Sequence, residues 1–153
     1  MAIDIFVPQD VSELVKTIGK QRFIDRLTWG FEASEGWRYN APNDQYWDYP
    51  VVHGNQQSMH FAFLFNWADE PWQTQRWSRS IIDHYYGFEV ANAYLGDEDQ
   101  GQMSAWFVMA ALGLFQTDGG CNVEPVYEIA SPLFEKTVID LGEMLRTRTS
   151  IHN

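Results

Sequence analysis

At 153 residues the chain has the length of about one domain, and 45% hydrophobic against 20% charged residues mark a folded, core-forming protein rather than a disordered one. A net charge of -11 argues against a nucleic-acid backbone or an anionic membrane as partner and suits neutral or cationic ligands, or a bound cation. Cys121 is the single cysteine, which excludes an intrachain disulfide and a thiolate metal cluster.

In chain order, Pro8-Gln9-Asp10 opens a helix with Val11, Leu14, Val15 and Ile18 at helical spacing and Gly19 as its stop. Phe23, Ile24, Leu27 and Phe31 predict a second helix over residues 20–33. Residues 34–55 form a long irregular connection, and loops of this length are often functional. It holds Trp37, Tyr39, Tyr46, Trp47 and Tyr49, which suit stacking on sugar faces as well as core packing. A third helix is expected over 57–67, apolar at its centre from Phe61 to Phe65. Asp69-Glu70-Pro71 breaks it and starts a fourth, over 72–86, with Trp77, Ile81 and Tyr85 on one face.

A fifth helix is expected over 99–114, after a loop over 87–96. Beyond Gly119-Gly120, residues 126–129 and 137–139 read as two short strands around Ser131-Pro132-Leu133-Phe134. The chain is thus expected to be mainly α, with a helical part over 1–118 and an extended segment over 119–153. The third and fifth helices are the candidates for an inner layer. Each follows a polar, glycine-containing loop, 53–57 and 96–99. If those helices run side by side in parallel, the loops share one end of the fold, where two positive helix ends meet the acids. No stretch has the length of a membrane span and the first residues carry no signal-peptide pattern, which leaves the compartment open.

The acid loop, Gly96-Asp97-Glu98-Asp99-Gln100-Gly101, crowds three carboxylates before an apolar run. An acidic helix cap, a hard-metal site and a catalytic carboxylate pair all fit that pattern. A calcium loop of EF-hand type fails, because its glycine would fall on Gln102 and its closing glutamate on Val108. Zinc is poorly supported, since His53, His60 and His84 lack the usual short pairing. An oxygen-seeking cation could draw on Asn55, Gln56, Asp97 or Asp99. In glycoside chemistry, a helix N-terminus favours the ionised carboxylate, so Asp97 and Asp99 suit the base role better than the acid role.

His53-Gly54-Asn55, His60, Pro71-Trp72-Gln73-Thr74-Gln75, Gly96-Asp97-Glu98-Asp99-Gln100-Gly101-Gln102-Met103-Ser104-Ala105-Trp106, Ala111-Leu112-Gly113 and Ser131-Pro132-Leu133-Phe134 occur in that order. Together they resemble the C-terminal part of the catalytic domain of glycoside hydrolase family 92, and the likeness runs over residues 6–141. These are calcium-dependent, exo-acting α-mannosidases, many cleaving α-1,2 linkages. The resemblance implies a partial (α/α)6 toroid and an inverting mechanism in which Asp97 and Asp99 activate the water. It implies that Asn55 and Gln56 lie in the segment that helps hold calcium, and that Trp47, His53 and His60 contact a mannoside.

Two departures qualify it. Gln56 and Gln57 stand where the family usually has Glu-Pro, which should weaken calcium binding or change substrate preference. The Tyr-x-Glu-Gly-Asn segment that carries the family's general acid has no counterpart in these residues. The expectation is therefore a piece of such an enzyme, inactive alone and able to self-associate through exposed helix faces. A non-catalytic sugar- or calcium-binding module and a purely structural helical module are the alternatives.

Overall fold

The structure, a computed structural model, describes residues 5–41, 49–118, 123–124, 126–140 and 142. Four α-helices, two short 3-10 turns and one two-stranded antiparallel sheet make up its regular elements. Helix α1 spans Val11–Ile18 and begins where the Asp10 carboxylate accepts the Glu13 N–H at 3.0 Å. Gly19, at φ 88°, ends it and gives its own N–H to the Val15 carbonyl. Helix α2, Lys20–Glu35, buries Phe23, Ile24, Leu27 and Phe31 on one face. Helix α3, Pro71–Tyr85, starts on a proline, whose missing N–H costs nothing in a first turn, and buries Trp77, Ile81 and Tyr85.

These faces meet around Phe31. Its ring stacks on Trp77 at 5.1 Å between centroids and lies 5.8 Å from Phe65. Phe31, Phe65 and Trp77 have no solvent exposure, and each such burial is worth roughly 1.5–3 kcal/mol.

The third expected helix does not form as an α-helix. Residues 57–67 wind instead through turns and the 3-10 turns Phe61–Phe63 and Asn66–Ala68. The backbone bonds span three residues: Phe63 N–H to His60 O, Leu64 N–H to Phe61 O, Trp67 N–H to Leu64 O. Phe61 through Phe65 are all fully buried, so no solvent face imposes a 3.6-residue period, and phenylalanine has modest helix propensity.

Helix α4 covers Gln102–Leu112, starting later and stopping earlier than the sequence suggests. Gly113, at φ 78°, caps it and turns the chain into β1, Leu114–Phe115. A Cβ at Gly113 would lie 3.0 Å from Pro132, so glycine also lets the returning chain pack closely. Strand β1 pairs antiparallel with β2, Glu128–Ile129, in the register Leu114 to Ile129 and Phe115 to Glu128.

One expected strand therefore exists only at its end, and its partner is Leu114–Phe115 rather than residues 137–139. The latter run without strand hydrogen bonding, with Val138 and Ile139 exposed, and among the described residues no strand pairs with them. Bonds from Ala130 N–H to Gly113 O and Leu133 N–H to Ala111 O anchor this returning segment to the end of α4. Among the described residues no helix is long and apolar enough to cross a membrane.

Candidate active site

Two polar loops converge beside the start of α4. The first, residues 53–57, is tied to the end of α2: the Ser34 hydroxyl accepts the Val51 N–H at 3.0 Å and the Tyr39 carbonyl accepts the His53 N–H at 2.9 Å. Tyr39 can offer that carbonyl because Arg38 and Tyr39 both adopt left-handed conformations, φ 57° and 55°. Two such non-glycine residues in a row are uncommon and are held by the surroundings. The Tyr39 hydroxyl meets Ser80 Oγ of α3 at 2.5 Å, and Ser80 donates to Glu35 Oε1 at 2.8 Å. Burial pushes the Tyr39 hydroxyl well above its ordinary pKa, so it stays a neutral donor.

The second loop carries the acids, and its shape separates them. Asp99, Gln100 and Gly101 take three successive left-handed conformations, φ 55°, 60° and 94°. That reversal folds Glu98 forward over the helix start. Its carboxylate accepts from the Gly101 N–H and, at 2.9 Å, from the Ser104 hydroxyl. The Gly101 amide, then the Ser104 hydroxyl, hold the Glu98 carboxyl below its ordinary pKa. Glu98 is thus the helix cap, reaching from outside the helix because Gly101 at the cap position has no side chain. Asp97 is exposed and takes no part in the cap. Asp99 accepts from the Gln56 side-chain amide at 3.0 Å, which joins the two loops.

The loops do share one end, though among the described residues only α4 brings a positive α-helix end there. In the first loop Asn55 shapes a turn, with its carbonyl accepting the Ser58 N–H at 2.8 Å and its side-chain oxygen the Gln57 N–H at 3.3 Å. Close approach elsewhere depends on glycine. A Cβ at Gly54 would stand 2.5 Å from the Tyr85 hydroxyl oxygen, and one at Gly96 would stand 3.2 Å from the same atom.

The two histidines occupy different places. His53 has no solvent exposure and sits among the rings of Tyr85, Tyr86 and Trp106 at 4.7, 5.6 and 4.2 Å. Its Nε2 lies 2.9 Å from the Tyr86 hydroxyl, which itself donates to the Met103 carbonyl of α4. The proton must therefore be on His53 Nε2, and the ring is a strut from the first loop to α4. Burial lowers its pKa to about 3.

His60, 6% exposed, is likewise lowered to about 4 by burial, with the Phe6 ring 5.5 Å away. It borders a cavity of about 380 Å³ shared with Gln56, Met59, Gln102, Trp106 and Asp118. So the structure brings Asn55, Gln56, Asp97 and Asp99 to one end and His60 and Gln56 to the cavity, while His53 faces the aromatic interior. Trp47 lies outside the described residues. Tyr86 was not singled out from sequence, Tyr85 was read only as part of a buried helix face, and the acidic cap was expected without being assigned to Glu98. The available signal was the pair of glycines, one in each loop, facing a single aromatic at the end of α3.

Among the described residues no three His, Cys, Asp or Glu side chains group so as to hold a metal ion. The oxygen donors at hand are the side chains of Asn55, Gln56, Asp97 and Asp99. They match the chemistry of calcium and fall short of its shell of about six to eight oxygens.

Comparison with known proteins follows the same line as the geometry. A secreted glycosidase of uncharacterised activity from Arthroderma benhamiae is 27% identical over 136 residues, covering 88% of this chain and 15% of its own length. The solved structure of a family GH92 alpha-mannosidase from Bacteroides thetaiotaomicron matches with 36% identity and a TM-score of 0.64, over 82% of this chain and 15% of that one. The chain therefore spans about 15% of the length of these relatives. The sequence pattern of the glycosyl hydrolase family 92 catalytic domain matches residues 1–153. The chain belongs to the glycosyl hydrolase family 92 catalytic domain.

Proposed function

We propose that these residues form the water-activating and calcium-facing side of an inverting α-mannosidase site, acting on α-1,2-linked mannosides within a partial (α/α)6 toroid. The observation that carries this reading is the 3.0 Å bond from Gln56 to Asp99, which joins the amide loop to the acid loop. An inverting glycosidase needs one carboxylate to deprotonate a water on the face opposite the leaving group. Asp97 and Asp99 share that role in the proposal, with Glu98 kept for the helix. The Gln56 amide orients the Asp99 carboxylate, and the left-handed backbone at Asp99 fixes where it starts.

Asn55 and Gln56 would lend side-chain oxygens to calcium, with the rest of the shell supplied from outside these residues. Bound calcium supplies a Lewis-acid grip on sugar hydroxyls. His60 borders the sugar cavity as a neutral ring, and Trp47 is proposed as a stacking platform. His53 supports the loop from within rather than touching sugar. With no counterpart of the family's acid-bearing segment among these residues, the chain alone is proposed to bind without hydrolysing.

A second reading is a non-catalytic binding module that self-associates, favoured by Phe88 and Val90, which are 97% and 105% exposed at a loop tip. Calorimetric titration with mannose and α-1,2-mannobiose, with and without calcium, tests the main reading alongside a hydrolysis assay. Calcium-dependent binding that Asp97→Asn and Asp99→Asn together abolish is expected. Equal binding with and without calcium, or in that double variant, would sink it. A dimer that sediments identically with either ligand would favour the second.

A further inference from the structure

The geometry points to Tyr85 as the residue that sets the distance between the two loops, its hydroxyl acting as a spacer pinned to the end of α3. This rests on the reading that residues 53–57 and 96–101 form one site. Tyr85 closes helix α3 and its ring is fully buried. It is wedged from behind by His53, edge to face at 4.7 Å, and by Tyr86 at 5.1 Å. Its hydroxyl tip is approached by both Gly54 and Gly96.

At Gly54 a methyl group would fall 2.5 Å from the hydroxyl oxygen but 3.5 Å from the ring carbon that bears it. The first distance is an impossible contact and the second an ordinary one. At Gly96 the same oxygen would lie 3.2 Å from an added methyl, while φ 81° independently favours glycine. One oxygen atom thus limits how near both loops come, and the Gln56 to Asp99 bond spans the gap that remains. Tyr85 is on this account a positioning residue: it fixes the separation of groups on the two loops.

The test uses the pattern of rescue. Gly54→Ala should push the first loop off Tyr85 and break the Gln56 to Asp99 bond, and adding Tyr85→Phe should restore it by removing the one clashing atom. The readout is the Gln56 side-chain amide signal in a 15N-glutamine-labelled protein, assigned by its loss in Gln56→Glu. It should move to the position of free glutamine in Gly54→Ala and return in Gly54→Ala/Tyr85→Phe. An unmoved signal in the single variant, or no return in the double, overturns the proposal.

Should Gly54→Ala fail to fold, recovery of folding in the double variant supports it, and continued failure overturns it. Calcium titration of the same proteins links the spacer to the site: affinity should fall roughly tenfold or more in the single variant and recover in the double. A wild-type chain that ignores calcium while its amide signal follows the pattern would sink the calcium reading and leave the spacer standing.

Discussion

Helices α1 and α4 both follow acidic residues, and they use them differently. At α1 a single aspartate, Asp10, caps the helix from the adjacent position, and the next acid, Glu13, turns to Lys16 at 3.6 Å. At α4 three acids precede the helix, and only Glu98 serves it. Its reach over the helix start makes a nearer cap unnecessary, which releases Asp97 to solvent and Asp99 to Gln56. Carboxylates crowded beyond what a helix end requires must be held apart against their own repulsion. One of the two that capping leaves over, Asp99, faces a second polar loop through Gln56.

That contrast can be broken or sharpened by substitution. The largest expected effect is on the anchor beneath α4. Trp106 is 2% exposed, stacks on Tyr86 and donates its indole N–H to the Met59 carbonyl at 2.8 Å. Trp106→Ala should cost about 3–5 kcal/mol in urea unfolding and take both loops with it.

Acid should act next. His53 and His60, with folded pKa values of about 3 and 4, stay neutral in the folded protein, whereas the unfolded chain protonates them near pH 6.5. Below that pH the unfolded state binds more protons, so stability falls as pH drops from 6.5 towards 4 and then 3. At pH 5 the loss should approach roughly 2 kcal/mol per histidine, and His60→Phe should flatten its share of the slope in a pH series of melting curves. Glu98 behaves in the opposite sense: its lowered pKa means a contribution present above its unfolded value of 4.5 and lost as pH falls through the folded value. The histidines should therefore register first on acidification.

The caps come third. Asp10→Ala should cost about 1 kcal/mol, and Glu98→Ala should lower the melting temperature by a few degrees. Asp97→Asn is the smallest, within about 0.5 kcal/mol of wild type. A destabilisation by Asp97→Asn equal to that of Glu98→Ala would erase the distinction between the two helix starts.

The helices with local punctuation were legible in the sequence. Asp10 and Gly19 bound α1, and Pro71 opens α3, as their backbone chemistry dictates. The Phe61 to Phe65 run was not, because full burial removes the periodicity on which a helix assignment depends. Strand β1 was hidden for another reason: the expected helix ran on past Gly113 to residue 114, and the strand's partner lies beyond residue 126, a pairing distance that leaves no local trace.

In the site, the convergence of the two glycine loops was readable, although two parallel helices were the wrong device for it. The close approach depends on Tyr85, which lies about thirty positions from one loop and about ten from the other. The division of labour among Asp97, Glu98 and Asp99 depends on backbone angles that composition does not report.

The left-handed run at Asp99, Gln100 and Gly101 has a consequence for the newly made chain. Each non-glycine residue there gives up about 1–2 kcal/mol relative to ordinary backbone, so the loop has no tendency to take this shape by itself. Glu98 and Gln56 impose it, and Gln56 lies 43 residues earlier in the chain. The acids consequently come into register only after distant segments have met. A nascent or partly unfolded molecule displays the same carboxylates as a loose negative cluster, and only the assembled protein holds them in this arrangement.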